Sequence, residues 1–169
     1  MKDIIFIAGA PGSGKSSVAK ELQRALNSPL FEFGWIPEFR DTGDRITSYV
    51  EDEEMAYENL ALVVNNYIKH GFKNILITDL ENKRITQLGK TYEKSDYLIF
   101  TLRIKDEDVL KGRVLDEKRS SGYRNWQEAQ EINSSLWSRT ALNNEVFIDI
   151  SHESHEDVAN SILDRIKSS

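Results

Sequence analysis

A glycine-rich segment near the N-terminus has the residue types and spacing best suited to chemistry. It fits the pattern G-x-x-x-x-G-K-[S/T] and consists of Gly9, Ala10, Pro11, Gly12, Ser13, Gly14, Lys15 and Ser16, followed by Ser17. Glycines in such a loop let backbone N–H groups converge on phosphate oxygens, while the lysine neutralises the outer phosphates and the serine hydroxyl can ligate magnesium. These residues predict a cradle for ATP and Mg²⁺, with Lys15 as a catalytic residue and Ser16 as a metal ligand.

The elements on either side of this loop are those that a phosphate cradle requires. Ile4 to Ala8 is continuously apolar and mostly β-branched, which predicts a central strand buried on both faces. Lys15 to Asn27 places apolar residues at spacings of three and four, which predicts a helix whose positive N-terminal end faces the phosphates. Because the motif and both flanks agree, we interpret the loop as a phosphate cradle rather than a chance glycine turn.

Strands and helices alternate along the rest of the chain. Four further apolar runs predict strands, and the best helical pattern covers Glu51 to His70. The strand runs are Leu30 to Gly34, Lys73 to Asp79, Asp96 to Arg103 and Asn144 to Ile150. This alternation predicts a parallel sheet covered by helices on both faces, with ligands at the carboxyl ends of the strands. The length of 169 residues indicates a single domain, residues 1–169.

On these features the chain resembles the P-loop NTPase superfamily, and within it the small kinases that act on nucleoside monophosphates, shikimate, gluconate and chloramphenicol. The resemblance covers nearly the whole chain in element order and size, but only the glycine loop is a specific motif. It implies a three-layer α/β/α fold with a five-stranded parallel sheet in the order 2-3-1-4-5 and a helical lid. It also implies an acceptor-binding region at about 31–50 and a lid at about 106–125.

Asp79 ends a strand predicted to lie beside the strand of the glycine loop. By the resemblance it is the acidic residue that holds the hydration shell of magnesium, with Ser16 as the other metal residue. An alternative is that Asp79 caps the next helix, which we expect to begin near Leu80. The same carboxylate can serve both roles.

The charged stretch from Asp106 to Arg119 predicts a helix. Its segment Leu110-Lys111-Gly112-Arg113 is similar to the L-x-x-R sequence that opens the lid of small kinases. The resemblance implies that Arg113 lies against the base of ATP and that Arg119 reaches the phosphates as charge moves to the transferring group, with Arg124 as the substitute for Arg119. The alternative is a solvated basic helix face. His152 and His155 follow the fifth strand, near the place where the family binds adenine, and their spacing does not predict a zinc site.

Several carboxylates follow the second strand, in the region where the family receives the phosphate acceptor. One of them is expected to take the proton of the acceptor's hydroxyl, and Glu32 is our first choice. The others are Glu38, Asp41 and Asp44. The stretch from Leu30 to Ile36 looks like the equivalent stretch of chloramphenicol phosphotransferase, but Ile36 stands where that family has its aspartate base.

Composition excludes several other classes of protein. The net charge of −6 argues against a protein whose main task is to bind nucleic acid, since that task requires a basic surface. The absence of cysteine excludes a disulfide scaffold and a thiol nucleophile, and it fits a cytoplasmic location. We expect no membrane partner and either a monomer or a homodimer.

The predicted reaction is the transfer of a phosphoryl group from ATP to a small hydroxyl-bearing molecule such as a nucleoside, sugar, metabolite or antibiotic. The first alternative is a nucleoside-monophosphate kinase, which would need arginines such as Arg40, Arg45 or Arg84 to bind the acceptor's own phosphate. An alternative of a different class is a nucleotide-binding regulatory switch with little transfer activity.

Overall fold

The computed structural model describes residues 1–35, 48–118 and 121–168. Several of the predicted site residues lie outside these ranges: Glu38, Arg40, Asp41, Asp44, Arg45 and Arg119. Their predicted roles therefore remain predictions.

Five parallel strands form one sheet in the order β2-β3-β1-β4-β5. The strands are β1 (Ile4–Gly9), β2 (Leu30–Glu32), β3 (Ile75–Thr78), β4 (Tyr97–Arg103) and β5 (Glu145–Asp149). This arrangement confirms the predicted fold class and strand order. Because β1 lies in the centre, the loop that follows it emerges at the middle of the carboxyl edge, between β3 and β4.

Helices connect the strands and cover both faces of the sheet. Within the described residues they are α1 (Lys15–Leu26), α2 (Tyr49–Lys69), α3 (Asn82–Ile85), α4 (Leu88–Thr91), α5 (Glu107–Leu115), α6 (Trp126–Ser138) and α7 (His155–Ser168), with a 3₁₀ turn at Phe33–Trp35. The longest predicted helix begins two residues earlier than expected. The reason is a capping box, in which Ser48 accepts a hydrogen bond from the Glu51 backbone N–H while the Glu51 carboxylate accepts one from the Ser48 N–H.

The core consists of two layers, one on each side of the sheet. Ile5 and Ile7 of β1 pack with apolar residues of α1, α5 and α7. Ile4 and Phe6, the alternate residues of the same strand, pack with α2 and Tyr92 on the other side. Since successive side chains of a strand point to opposite faces, the continuous apolar run of β1 is what a strand buried on both faces needs.

Three elements near the site begin or end at other residues than predicted. Strand β2 ends at Glu32 and not at Gly34, and the 3₁₀ turn Phe33–Trp35 follows it. The helix expected over Asp106 to Arg119 ends as α5 at Leu115, because Asp116 takes an extended backbone conformation. The helix expected to begin near Leu80 begins at Asn82, with Glu81 in the N-cap position. Among the described residues, no helix combines the length and the apolar character that crossing a membrane requires.

Candidate nucleotide-binding site

The glycine loop has a backbone that side chains would obstruct. Gly9 has a φ of 142°, and a Cβ built there would lie 2.6 Å from the carbonyl oxygen of Leu102. Gly14 has a φ of 77° and occupies the N-cap position of α1. The loop therefore depends on glycine for both backbone conformation and space, as a cradle of converging N–H groups requires.

The remaining residues of the loop divide into those that line a cavity and those beneath it. Ala10 and Ser13 are fully buried, and the Ser13 backbone N–H donates to the carbonyl oxygen of Ala10 over 3.1 Å. Pro11 and Gly12 line the cavity together with Gly14, Lys15, Ser16 and Ser17. Ala10 and Ser13 thus shape the loop from below, while the other residues face the cavity.

Lys15 lies at the centre of the site. Its Nζ donates to the carbonyl oxygen of Ala10 over 3.2 Å and lies 4.0 Å from Oδ1 of Asp79. The lysine is the first residue of α1 and the aspartate follows β3, so two adjacent parts of the sheet edge bring them together. This places the lysine ammonium and a carboxylate together above the loop, as a site for magnesium and phosphate requires.

Asp79 has an unusual backbone conformation for a residue other than glycine, with a φ of 71°. Such conformations cost on the order of 1 kcal/mol or more and cluster at functional sites. The side chain is about half exposed and lines the cavity. Because Glu81 and not Asp79 stands at the N-cap position of α3, the alternative that Asp79 is a capping residue is wrong.

Glu32 faces the same side of the sheet as α1. It pairs in register with Thr78, next to Asp79, and Leu30, two residues earlier on the same face of β2, packs against the core layer that contains α1. Glu32 therefore lines the cavity together with Ser16 and Asp79. The structure brings the predicted base and the two predicted metal residues to one side of the phosphate loop.

Arg113 borders the cavity on the opposite side. Its Nη2 donates to the carbonyl oxygen of Ile150 over 3.0 Å, which ties α5 to the end of β5. Its Nη1 is buried and has no hydrogen-bond partner among the described residues. Burial lowers the pKa of the guanidinium. The guanidinium is therefore half-buried and bonded to the backbone of another element, which is not the environment of a solvated helix face.

His155 is a site residue to which the sequence assigned no role. A Cβ built on Gly14 would lie 2.7 Å from Nε2 of this histidine, so the imidazole packs directly against the loop. Burial lowers the pKa of His155, and the positive charge of Arg113 lowers it further. The imidazole lines the cavity together with Arg113 and Tyr123. In the sequence, only the position of His155 after the fifth strand indicated that it lies near the nucleotide. Its contact with Gly14 could not be predicted, because that contact depends on how α7 packs on α1.

The cavity has a volume of about 930 Å³ and is open to solvent. Its lining carries charges of both signs: acidic at Glu32, Asp79, Asp116 and Glu153, and basic at Lys15, Lys20, Arg113 and Lys118. No group of three or more histidine or acidic side chains within the described ranges could hold a metal ion by itself. A magnesium ion at Ser16 and Asp79 would therefore take its other ligands from phosphates and water, which is how proteins usually bind this ion.

Two further arginines from the sequence analysis are bound within the protein. Arg124 donates from Nη1 to the carbonyl oxygens of Ser121 and Tyr123, over 2.6 and 2.8 Å. Arg84 is 3% exposed and forms a buried ion pair with Glu53, to which both Nε and Nη2 donate. Arg84 also donates to Glu54 over 2.7 Å and to Gln87 over 2.8 Å, and it lies 4.5 Å from the centre of the Tyr57 ring.

The model of the AAA domain family matches residues 5–133, which is most of the chain and includes the whole phosphate loop. The chain belongs to this family. No curated protein matches the chain. The resemblance to P-loop NTPases and their small kinases is confirmed by this match and by the solved structures that share the fold.

Three of those structures cover nearly the whole chain. A tunicamycin resistance protein of Deinococcus radiodurans has a TM-score of 0.73 at 18% identity and covers 98% of this chain and 96% of its own. A gluconokinase of Sinorhizobium meliloti 1021 has a TM-score of 0.66 at 18% identity, with coverages of 96% and 91%. A shikimate kinase of Acinetobacter baumannii, solved with shikimate, has a TM-score of 0.61 at 17% identity, with coverages of 98% and 93%. At these identities the likeness shows a shared fold.

Proposed function

We propose that this protein is a kinase that transfers the terminal phosphoryl group of ATP, with Mg²⁺, to a hydroxyl group of a small molecule. The observation that carries the proposal is the arrangement around the phosphate loop. Lys15 lies 4.0 Å from Asp79, with Arg113 on one side and Glu32 on the other. Phosphoryl transfer depends mainly on positioning and charge neutralisation, and this arrangement supplies both.

The nucleotide would occupy the loop and the side of the cavity that carries Arg113. Backbone N–H groups of the loop and the N-terminus of α1 would bind the phosphates, and Lys15 would neutralise the outer ones. Ser16 and Asp79 would hold magnesium, which supplies charge stabilisation for the transferring group when it is bound. Arg113 and His155 would contact the nucleoside part, since both line the cavity.

The acceptor would bind on the side of Glu32 and Asp79. A carboxylate there would accept the proton of the attacking hydroxyl, and Glu32 remains our candidate because it lines the cavity. Among the solved structures with this fold, a gluconokinase, a sugar kinase and a shikimate kinase are named as kinases of small molecules, which supports an acceptor of this kind.

The structure gives one argument against a nucleoside-monophosphate acceptor. Arg84, which the sequence offered as a ligand for the acceptor's phosphate, is buried and already neutralised by Glu53 and Glu54. Binding a phosphate would require breaking this buried pair, which would leave Glu53 with Lys83 as its remaining partner and would cost stability. We therefore favour an acceptor without a phosphate group, while Arg40 and Arg45 lie outside the described residues.

An ADP-release screen tests the proposed function. The purified protein with ATP and Mg²⁺ is assayed against nucleosides, nucleoside monophosphates, sugars, hydroxy acids, aminoglycosides and phenolic antibiotics, with Lys15→Ala as the control for contaminating kinases. We expect one acceptor class to stimulate ADP release in the native protein and not in the variant. ADP release that no acceptor stimulates would contradict a kinase of this kind and favour a nucleotide-binding switch.

A further inference from the structure

Helix α2 has apolar side chains on its outer face as well as on its inner face. Its inner residues, including Leu60 and Val64, are fully buried in the core. On the outside, Met55 is 42% exposed and Leu62 is 70% exposed. Five of the exposed large apolar side chains in the described part of the chain belong to this helix: Tyr49, Val50, Met55, Leu62 and Val63. This concentration on one helix is unlike the scattered exposure that is normal on protein surfaces.

Helical spacing aligns part of this surface into a stripe. Residues three and four apart share a helix face, so Met55, Asn59, Leu62 and Asn66 lie in one row directly opposite the buried side. We call these four residues the outer stripe. The buried pair between Arg84 and Glu53 fixes α2 on its inner side, so the helix cannot rotate to bury the stripe against its own domain.

The charges of α2 are divided between its two halves. All its acidic residues lie in the first half; Glu53 is buried and pairs with Arg84, as Glu54 also does, and the others are Glu51, Asp52 and Glu58. After Glu58 the helix has no acidic residue, and it ends in Lys69 followed by His70. Two such helices packed side by side in opposite directions would each place the basic end against the acidic end of the other. Parallel packing would instead bring like charges together.

We propose that the outer stripe is a homodimer interface, in which α2 packs antiparallel against α2 of a second copy of this chain. A two-fold axis passing between Leu60 and Ala61 pairs the residues at opposite ends of the helix, so that Lys69 lies near Asp52 of the second copy. Asn59 and Leu62 then lie closest to the axis. A two-fold contact of this kind is self-complementary and closed, which agrees with the single stripe on each chain. The proposal does not depend on kinase activity.

The mass of the full-length protein in solution gives the first test. Sedimentation equilibrium from about 5 to 200 µM should show the mass rising from 19.4 kDa towards twice that value, because a stripe of this size suits a weak dimer. Leu62→Glu should raise the dissociation constant at least tenfold, because it places two carboxylates at the axis. Asn160→Glu adds the same charge at an exposed position of α7 and should leave the dissociation constant unchanged. Lys69→Glu should weaken the dimer, and the effect should shrink at high salt.

Cross-linking tests the orientation, and the absence of native cysteine makes it specific. Asn59→Cys should form a covalent dimer with a short bis-maleimide, while Asn160→Cys, also an exposed helical asparagine, should stay monomeric. Circular dichroism should show that each variant remains folded, and if Leu62→Glu does not, Lys69→Glu and the cross-linking decide. A native protein that is monomeric at 200 µM would overturn the proposal. So would a dimer that resists Leu62→Glu or cross-links equally at both cysteines.

Discussion

The contact between His155 and Gly14 gives a prediction whose size follows from the structure. Gly14→Ala places a methyl group at a φ of 77°, which costs about 1–2 kcal/mol for a residue other than glycine. The new Cβ would also lie 2.7 Å from Nε2 and 2.9 Å from Cδ2 of His155, so the ring of this solvent-exposed residue must move. We add about 1 kcal/mol for this overpacking and expect a total loss of about 2–3 kcal/mol in the free energy of unfolding.

A double mutant separates the two contributions. If the ring is what the methyl group meets, His155→Ala should remove the steric part, and the cycle formed by Gly14→Ala, His155→Ala and both together should show a coupling of about 1 kcal/mol. The free energies come from urea unfolding of each variant without nucleotide. Gly12→Ala is the matched control. Its Cβ would also be crowded, at 2.6 Å, but by Val114 of α5, so His155→Ala should not rescue it.

Additive effects in the Gly14 cycle, within about 0.3–0.5 kcal/mol, would refute the packing of His155 on the loop. Equal rescue of Gly12→Ala and Gly14→Ala by His155→Ala would refute it as well, because the histidine would then act on general stability and not through this contact.

Three further predictions concern the chemistry of the site. Arg113→Ala should mainly raise the KM for ATP, because its contact is with bound nucleotide, whereas Arg119→Ala should mainly lower kcat, because its contact is with charge that develops during transfer. Steady-state kinetics at saturating acceptor distinguish the two effects. Equal small effects would show instead that both arginines belong to a solvated helix face. Glu32→Gln should lower kcat about 10²-fold with little change in ATP affinity if this carboxylate is the base, and an unchanged kcat would exclude it. Because the pKa of His155 is lowered in the folded protein, the unfolded chain binds a proton on this imidazole more tightly, and the free energy of unfolding should fall as the pH drops through the ordinary value of 6.5. His155→Gln should reduce that fall, as measured by urea titrations from pH 7.5 to 5. Identical pH dependence in the native protein and the variant would contradict this prediction.

The sequence predicted the parts of the site that depend on local pattern. The glycine loop, the strand before it and the helix after it are adjacent in the chain, and their residue types determine the local conformation. The strand order followed from the resemblance to small kinases, since periodicity alone does not order strands. Asp79 could be placed at the end of its strand, and the structure adds its φ of 71° and its distance from Lys15.

Contacts between side chains distant in the chain could not be predicted. His155 meets Gly14 because α7 packs on α1, and no spacing in the sequence records that packing. Arg84 carries the same charge whether it binds an acceptor or pairs with Glu53, so only the structure shows that it is buried in an ion pair. The predicted boundary of α5 was wrong for a related reason, since the extended backbone at Asp116 ends the helix before its charged pattern ends.

The transfer of labelled phosphate tests the central claim most directly. The native protein and Lys15→Ala are each incubated with Mg²⁺, γ-³²P-ATP and a protein-free extract of cellular small molecules. Circular dichroism checks that the variant is folded, because Lys15 also bonds to the carbonyl oxygen of Ala10. We expect a labelled small molecule, distinct from ATP and inorganic phosphate, that forms with the native protein and whose amount falls at least about 10²-fold with the variant. Label that remains in ATP, or that appears only as inorganic phosphate at equal rates with both proteins, would contradict it.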